Sequence, residues 1–568
     1  MCAVDRRRFL QHSLSVSALA VTGVSLSACG SDDGFDLEFL YGVASGDPLA
    51  DRVILWTHTK IRDRSEPVEV DWEVSLDNTF GTTVSRGTAL SSADTGFTVK
   101  VDATGLQPGT DYFFRFRRGS SVSPVGRTRT LPTGTPSAVR FAVFSCSNYP
   151  AGYFNVYGAA AASDAQYALH LGDYIYEYAA GGYASATAAA LGRVSVPATE
   201  ILSLQDYRTR YAQYRSDPDA KNLHARMPMI AVWDDHEAAN NAWRDGAENH
   251  TPATEGSYAT RRSAAQQAYH EWMPIRTGSD RSLIYRSFNF GNLLTLHMLD
   301  TRMVGRDQQI DVTALINPAT AAAAQAAFAS PTRQLLGTTQ TQWLQAGMAQ
   351  STATWQVLGQ QVLMSRMEFP ASILQALNPS NTSPEAQAAG QLAINAYLTA
   401  KGKRAAGAPL TAQESARLDL RLNPKLGYNL DAWDGYPAAR ETVLASALQL
   451  RKKLVVLAGD THNGWHSNIT LKGLIPGGPP EGTKVGEEFA TPSVSSPGFE
   501  EALSLPAAQV EAIFKGVVDD LRWVDASRRG YLKMTFTPTE AKGEWVFVSS
   551  VKSQTYTVST GYTATFAA

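Results

Sequence analysis

Residues able to bind metals follow several apolar runs of the sequence, each at the point where the run ends. A cysteine follows the run Arg140–Ser145, and carboxylate, phenol or imidazole side chains follow later runs. These residues are Cys146, Asp173, Tyr176, Asp234, Asp235, His236, Asn240, Asp300, Asp460 and His462, and Arg302 follows the same run as Asp300. Because ligands of open α/β sheets bind beyond the carboxyl ends of the strands, we expect these side chains to converge on one crevice.

A crevice with so many carboxylates needs compensating positive charge. Buried carboxylates repel one another unless cations neutralise them, so bound metal is the simplest compensation. A thiolate and a phenolate beside carboxylate and imidazole suit a transition metal such as iron, whereas Asp and Asn oxygens suit Ca²⁺, Mg²⁺ or Mn²⁺. Two metals that share a carboxylate could clamp both oxygens of an in-line phosphoryl transfer.

Each candidate residue also has a purely structural alternative. Asp173 could cap a helix, and Tyr176 could be a half-buried aromatic residue with a satisfied hydroxyl. His236 lies between acidic residues and could form a simple salt bridge, and Asn241 competes with Asn240 as a ligand. We prefer the ligand and catalytic interpretations because the candidates cluster at predicted strand ends.

Two sets of predicted elements must position these residues. Residues 37–133 contain short strands separated by turn residues at close spacing, which is typical of a β-sandwich. Within them, Gly105–Tyr112 resembles the turn before a late strand of fibronectin type III domains, which suggests a fibronectin- or Ig-like sandwich. Residues 138–566 alternate continuous apolar runs with helical stretches, which predicts a layered α/β domain whose strands are covered on both faces.

Composition and charge narrow the class of protein. The chain has 568 residues, of which 44% are hydrophobic and 18% charged, with a formal net charge of -3. The length favours two or more domains, and the charge balance offers no basic patch for nucleic acid. The three cysteines are Cys2, Cys29 and Cys146, so removal of a signal would leave Cys146 without an internal disulfide partner.

The first 29 residues predict an export signal. Arginines at 6–8 precede an apolar stretch, from about Ser13 to Ala28, that is too short and too rich in small residues to span a bilayer. This pattern resembles a twin-arginine signal, which implies the twin-arginine export machinery as a partner and a periplasmic, cell-surface or extracellular location. Leu26–Cys29 resembles a lipobox, with a lipid on Cys29 as membrane tether; ordinary cleavage near Ala28 is the alternative.

Several motifs occur in a fixed order along the second region. They are Cys146, Gly172-Asp173-x-x-Tyr176, Asp234-Asp235-His236-Glu237 and Gly459-Asp460-x-His462-x-x-Trp465, with further matching segments at 261–262, 299–302 and 433–437. Together they resemble the signature of PhoD-like alkaline phosphatases, within the calcineurin-like metallophosphoesterase superfamily. The resemblance covers the chain from about Phe39 to Gly530 and implies an αββα-like catalytic domain that acts on phosphate esters.

The same resemblance implies a ferric ion and a calcium ion at the site, although the second metal could be another divalent ion. By position, iron would be bound by Cys146, Asp173, Tyr176 and His462, and the second metal by Asp173, Asp235, Asn240 and Asp460. A metal-bound hydroxide would attack phosphorus, and His236 would protonate the leaving alkoxide or stabilise phosphate charge. Arg262 and Arg302 are candidates for clamping the phosphate, since guanidinium matches phosphate geometry.

The sequence leaves two other functions open. Phosphodiesterase or phospholipase D-type activity would use the same metals, and pocket shape would decide between monoesters and diesters. A surface-anchored binding module would account for the sandwich and the lipobox. It gives no reason, however, for Cys146, Asp173 and His462 to occur in this ordered set of motifs.

Overall fold

The computed structural model describes residues 37–61, 66–317, 319–376, 383–502 and 505–568. The predicted export signal over residues 1–29, with the lipobox cysteine Cys29, lies outside these ranges. None of the helices in the described ranges is both long and apolar enough to cross a bilayer.

The strands are rich in β-branched and aromatic residues, which favour a pleated, half-buried backbone. In the N-terminal region they are β1 (Leu37–Glu38), β2 (Val43–Gly46), β3 (Arg52–His58), β4 (Lys60–Ile61), β5 (Val68–Ser75), β6 (Thr83–Ser91), β7 (Thr98–Thr104), β8 (Asp111–Arg118), β9 (Ser121–Val122) and β10 (Gly126–Arg129). The later strands are β11 (Val139–Phe144), β12 (Tyr167–His170), β13 (Met229–Ala231), β14 (Arg286–Phe290), β15 (Leu294–Met298), β16 (Trp355–Gly359), β17 (Glu368–Pro370), β18 (Lys425–Gly427), β19 (Lys453–Ala458), β20 (Gly464–Thr470), β21 (Lys484–Ala490), β22 (Leu521–Asp525), β23 (Gly530–Phe536), β24 (Glu540–Val548) and β25 (Val558–Ala567).

Helices connect many of these strands, and side chains that bind free main-chain N–H groups mark several of their starts. The helices are α1 (Asn155–Ala161), α2 (Ala188–Leu191), α3 (Leu204–Ser216), α4 (Pro218–Arg226), α5 (Pro252–Glu255), α6 (Tyr258–Trp272), α7 (Val312–Ile316), α8 (Ala321–Phe328), α9 (Thr338–Gln350), α10 (Ala371–Ala376), α11 (Pro384–Ala405), α12 (Ala412–Leu418), α13 (Pro437–Gln449), α14 (Phe499–Ala502) and α15 (Ala507–Val517). Ser203 and Asp206 form a capping box at α3, and Asp217 caps α4, whose first residue is a proline.

Two large sheets dominate the described part of the chain. One has the strand order β25-β24-β23-β11-β12-β13-β2-β3-β7, and the other has the order β14-β15-β16-β19-β21-β20-β22. Strands β11, β12 and β13 run parallel, as do β15, β16, β19 and β21. The carboxyl ends of each parallel set therefore open at one edge of their sheet, where polar side chains can meet.

The two sheets face each other, and helices cover their outer surfaces. Buried residues of both sheets form one hydrophobic cluster, in which Phe141 of β11 contacts Phe290 of β14 with ring centroids 5.2 Å apart. Helix α1 packs on the outside of the first sheet through Tyr157 and Phe144, while α9 and α13 share a second cluster with β16 and β19. The predicted mixed α/β fold with several sheets is confirmed.

The N-terminal region contributes a further sheet, with the order β10-β8-β5-β6 and with β9 paired to β8. Its buried side chains, among them Val70 and Phe114, join Val53 and Val99 of β3 and β7 in one cluster. The turn before β8 is fixed by Tyr112, whose hydroxyl accepts a hydrogen bond from the Gln107 N–H group at 2.7 Å.

The N-terminal region also contributes three strands to the larger sheet. Strand β2 pairs in parallel with β13 at Gly46 and Met229, so β2, β3 and β7 extend the larger sheet. A Cβ atom at Gly46 would lie 2.2 Å from the Pro274 carbonyl oxygen, and only glycine permits this close approach. The pairing joins residues that are distant in sequence. Both strands are short, so their sequence patterns do not predict which strand each one pairs with.

Candidate metal centre

The carboxyl ends of strands from both sheets bring the predicted ligands together. Cys146 follows β11, Asp173 follows β12, and His462 follows β19. Although β11 and β19 belong to different sheets, the ligand atoms of Cys146, Asp173 and His462 all lie within 4.8 Å of one another. The predicted convergence of these strand ends on one crevice is what the structure shows for this trio.

Tyr176 lies in contact with the same trio. Its hydroxyl donates to Asp173 Oδ2 at 3.0 Å, lies 3.2 Å from His462 Nε2, and accepts a hydrogen bond from Ser496 at 2.8 Å. His462 Nδ1 in turn lies 2.7 Å from the Pro497 carbonyl oxygen, which leaves Nε2 directed at the tyrosine. The thiol, carboxylate, phenol and imidazole therefore form one contiguous donor set.

Two further groups of ligand atoms adjoin this trio. Asp173, Asp235 and His236 form one group, and Asp234, Asp235 and Asp460 form the other, each with its ligand atoms within 4.8 Å of one another. Asp173 thus belongs to the thiol-containing group and to an acidic group. This is the arrangement expected of a carboxylate that lies between two cations.

Strained backbone marks the same positions. Cys146, Asp173, Asp460 and His462 have φ values of 60°, 56°, 64° and 63°, in the left-handed region that non-glycine residues rarely adopt. Such conformations cost free energy and persist where a functional geometry requires them. Gly172 precedes Asp173 with a φ of 114°, and a Cβ atom there would lie 2.3 Å from Asp234 Cβ, so the crossing needs glycine.

The cluster is electrostatically unfavourable for anions without a cation. Burial raises the pKa of Asp173 and of Asp460, and neighbouring carboxylates raise both further. Burial and the charge of Asp173 also raise the pKa of the Cys146 thiol. Among the described residues, Asp173 Oδ1 and Asp234 Oδ2 have no hydrogen-bond partner although both are buried. Unpaired buried oxygens beside a thiol and an imidazole fit a metal centre, because a cation would stabilise each anion.

His236 is held in a fixed orientation beside this centre. Its Nδ1 lies 2.7 Å from Glu177 Oε2, and its ring stacks on Tyr176 with centroids 4.2 Å apart. Glu177 Oε1 accepts hydrogen bonds from the Asn240 N–H group and the Asn249 side chain, both at 2.8 Å. Burial opposes protonation of His236, but Glu177 and nearby carboxylates raise its pKa overall. Sequence reasoning missed Glu177, whose only signal was its position directly after Tyr176.

Arg302 lies among carboxylates rather than at an open surface. The fully buried guanidinium donates to Asp234, to Asp431 at 2.6 Å and to Asp460 at 2.9 Å, and it lies 3.5 Å from Asp235. Its N–H groups are thus occupied by acids in this structure, and its role as a phosphate clamp stays a prediction. Asp431 was missed by sequence reasoning because it follows no apolar run.

Arg262 and the two neighbouring asparagines, Asn240 and Asn241, lie on elements around the centre. Arg262 of α6 is half-buried and donates to the Arg244 carbonyl oxygen, outside the carboxylate cluster. The Asn241 N–H group donates to Asp235 at 2.5 Å, and the Asn241 side chain is bound to Glu248. These contacts hold the Asn241 main chain beside Asp235, and the choice of Asn240 as a ligand of the second metal stays a prediction.

Glu237 joins the two loops that carry the acidic ligands. Its carboxylate accepts hydrogen bonds from the main-chain N–H groups of Asp173 at 3.0 Å, Tyr174 at 2.6 Å and Asp234 at 2.7 Å. The side chain is 1% exposed. It therefore fixes the loop after β12 to the loop after β13 and sets the separation of their ligands.

This fold and this cluster match a known class of enzyme. The chain belongs to the PhoD-like phosphatase family, whose model matches residues 141–545, and the model of that family's N-terminal domain matches residues 25–132. The resemblance inferred from the motifs is confirmed, and the protein is a phosphatase.

Two relatives illustrate the similarity. Alkaline phosphatase D of Bacillus subtilis (strain 168) is 33% identical over 566 residues, which span 95% of this chain and 84% of that protein. The solved structure of PhoD has a TM-score of 0.73 and 31% sequence identity, and the match covers 93% of this chain and 90% of that one.

Proposed function

We propose that this phosphatase hydrolyses phosphate esters at the strand-end cluster with bound cations. The meeting of Cys146, Asp173 and His462 within 4.8 Å carries the proposal. Loops that follow strands of two different sheets supply these residues, all three have a positive φ, and Cys146 and Asp173 are buried. A cluster of buried acids is costly to a fold, so a functional use accounts for it better than a structural one.

Iron and calcium fit the two sides of the cluster. The ferric ion would be held by Cys146, Asp173, Tyr176 and His462, and the calcium or another divalent ion by Asp173, Asp235, Asn240 and Asp460. Sulfur, phenol and imidazole donors suit the transition metal, and carboxylate and amide oxygens suit the harder ion. When bound, such cations acidify water and offset phosphate charge.

His236 is the proposed general acid. Hydrolysis breaks the bond between phosphorus and the ester oxygen, forms a bond from phosphorus to a water oxygen, and requires one proton on the departing alkoxide. Glu177 occupies Nδ1 of His236 at 2.7 Å, which leaves Nε2 to donate that proton. Glu177 raises the pKa of His236, which favours the protonated ring that a proton donor requires.

The two arginines take different roles in this proposal. We assign Arg302 to charge balance, because its guanidinium binds Asp234, Asp431 and Asp460 within the cluster. For Arg262 the proposed phosphate contact rests on the sequence motif, because its guanidinium donates to the Arg244 carbonyl oxygen outside the carboxylate cluster.

The proposal also covers the fold of each region and the export of the protein. We infer a fibronectin- or Ig-like sandwich over residues 37–133, supported by the facing sheets and the Tyr112 hydroxyl bond to Gln107. The catalytic region, 138–566, would be a metallophosphoesterase domain of the αββα type. Export by the twin-arginine route, with a lipid on Cys29, rests on the sequence pattern alone.

Metal content and turnover of matched variants test the function. Cys146→Ala should lose iron and most activity, and Asp173→Asn should lose both metals. Asp47→Asn is a matched control, because Asp47 is 1% exposed and binds Arg286 outside the cluster. Retention of iron and full turnover by Cys146→Ala would show that the thiol is not a ligand. Comparing an aryl monoester with an aryl diester decides between phosphatase and phosphodiesterase preference.

A further inference from the structure

A continuous set of aromatic rings leads from the metal centre to the surface. Tyr176 stacks on His236 with centroids 4.2 Å apart, and His236 contacts Tyr178 at 5.4 Å. Tyr183 completes the set, with centroids 5.7 Å from Tyr178 and 6.1 Å from Tyr176. Tyr176 and His236 are buried, Tyr178 is half-buried and Tyr183 is exposed, so the rings form one side of a path between the cluster and solvent.

Tyr183 is unusual among the described residues. It is 37% exposed, more than any other aromatic side chain in the described part of the chain. Its hydroxyl lies 3.3 Å from His462 Nδ1, and the planes of its ring and the Tyr176 ring are 25° apart, which place it beside the proposed iron ligands.

The backbone around Tyr183 favours this outward position. Gly181 and Gly182 precede it, and Ala184 follows it with a φ of 55°, so the chain makes a sharp excursion at this residue. A Cβ atom at Gly182 would lie 3.1 Å from Tyr178 Cβ, which shows how closely the excursion packs on the second tyrosine. The two rings are therefore presented together.

We propose that Tyr178 and Tyr183 form a subsite for the leaving group and favour esters of aromatic alcohols. The inference rests on the proposed function, because it takes the phosphate to lie between the metal ligands and His236. A leaving group that departs toward solvent from that point meets the rings of Tyr178 and Tyr183. Aromatic stacking adds about 0.5–1.5 kcal/mol beyond buried area, which corresponds to about a 2- to 10-fold preference.

The test uses two esters of similar size and similar leaving-group basicity. Benzyl phosphate has an aromatic leaving group, and cyclohexylmethyl phosphate has a saturated one. Tyr183→Ala should lower the ratio of their kcat/KM values by about 2- to 10-fold, mainly through KM for the benzyl ester. Tyr183→Phe should preserve the ratio because it keeps the ring. Tyr556→Ala, at a half-buried tyrosine on the loop before β25, is the control.

A binding measurement separates stacking from chemistry. Benzylphosphonate cannot be hydrolysed, and its affinity relative to cyclohexylmethylphosphonate should fall in Tyr183→Ala by the same factor as the kinetic ratio. An unchanged ratio in Tyr183→Ala, or an equal loss for both esters, overturns the subsite while leaving the phosphatase assignment intact. A metal-loaded wild type that cleaves neither ester overturns both the proposed function and the subsite.

Discussion

Replacing Glu237 by Gln should loosen the loops that carry the acidic ligands. In the native protein one carboxylate oxygen accepts from the Asp173 and Asp234 N–H groups, and the other accepts from Tyr174. A glutamine has one acceptor oxygen and one NH₂ group. If the glutamine oxygen faces the Asp173 and Asp234 N–H groups, its NH₂ group faces the Tyr174 N–H group. The hydrogen bond from Tyr174 is then lost, and two donors point at each other.

The expected magnitude follows from that geometry. Hydrogen bonds to charged groups contribute about 1.5–3 kcal/mol each, and an unsatisfied buried donor costs about 1–3 kcal/mol. We expect Glu237→Gln to lower the free energy of unfolding by about 2–3 kcal/mol. Because the loops also position ligands, metal affinity should fall by about 10- to 100-fold.

Glu441 provides a matched control. It is 2% exposed, and its two oxygens accept from the main-chain N–H groups of Lys472 at 2.7 Å, Gly473 at 3.0 Å and Leu474 at 3.3 Å. Glu441→Gln should destabilise the fold similarly and leave metal affinity unchanged. Urea unfolding and calorimetric metal titration measure the two effects. The reasoning fails if Glu237→Gln matches the wild type in both assays, or if Glu441→Gln loses metal equally.

Arg302→Met should lower the free energy of unfolding of the metal-free protein by about 3–5 kcal/mol, because it leaves buried aspartates without their cation; thermal unfolding that changes by less than about 1 kcal/mol would contradict this. Burial lowers the pKa of His58 to about 4 from 6.5. Its contribution to stability is therefore present above pH 6.5 and is lost as pH falls toward 4. His58→Phe keeps the ring and should flatten this dependence by up to about 3 kcal/mol, as measured by urea unfolding across that range; an unchanged pH slope would count against it.

Most strands of the fold could be predicted because their apolar runs are local signals. The run predicted at Tyr167–Leu171 is the strand Tyr167–His170, and Leu454–Ala458 is Lys453–Ala458. Sheet membership was beyond such patterns. The pairing of β2 with β13 depends on the close approach of another backbone segment to Gly46. A single glycine in a sequence does not identify the segment that will pack against it.

The candidate metal ligands at strand ends were predictable for the same local reason. Cys146, Asp173 and His462 follow apolar runs, and the structure brings them together. Residues that support them were not predictable, because they lie on loops without periodicity. Ser496 reaches the Tyr176 hydroxyl only through tertiary folding. The contacts of Arg302 were not predictable either, because an arginine that follows a strand can bind an anionic substrate or a buried carboxylate equally well.

Because β2 pairs with β13, the N-terminal region covers an edge of the larger sheet that β13 would otherwise form. A chain shortened to begin after Arg129 would remove the Asp47 N–H group that donates to the Met229 carbonyl oxygen, and β13 would become an edge strand. Bare strand edges of this kind recruit other chains and promote aggregation. The N-terminal region therefore contributes to the solubility of the catalytic region as well as to its fold. An unrelated domain put in its place would also have to pair with or cover β13.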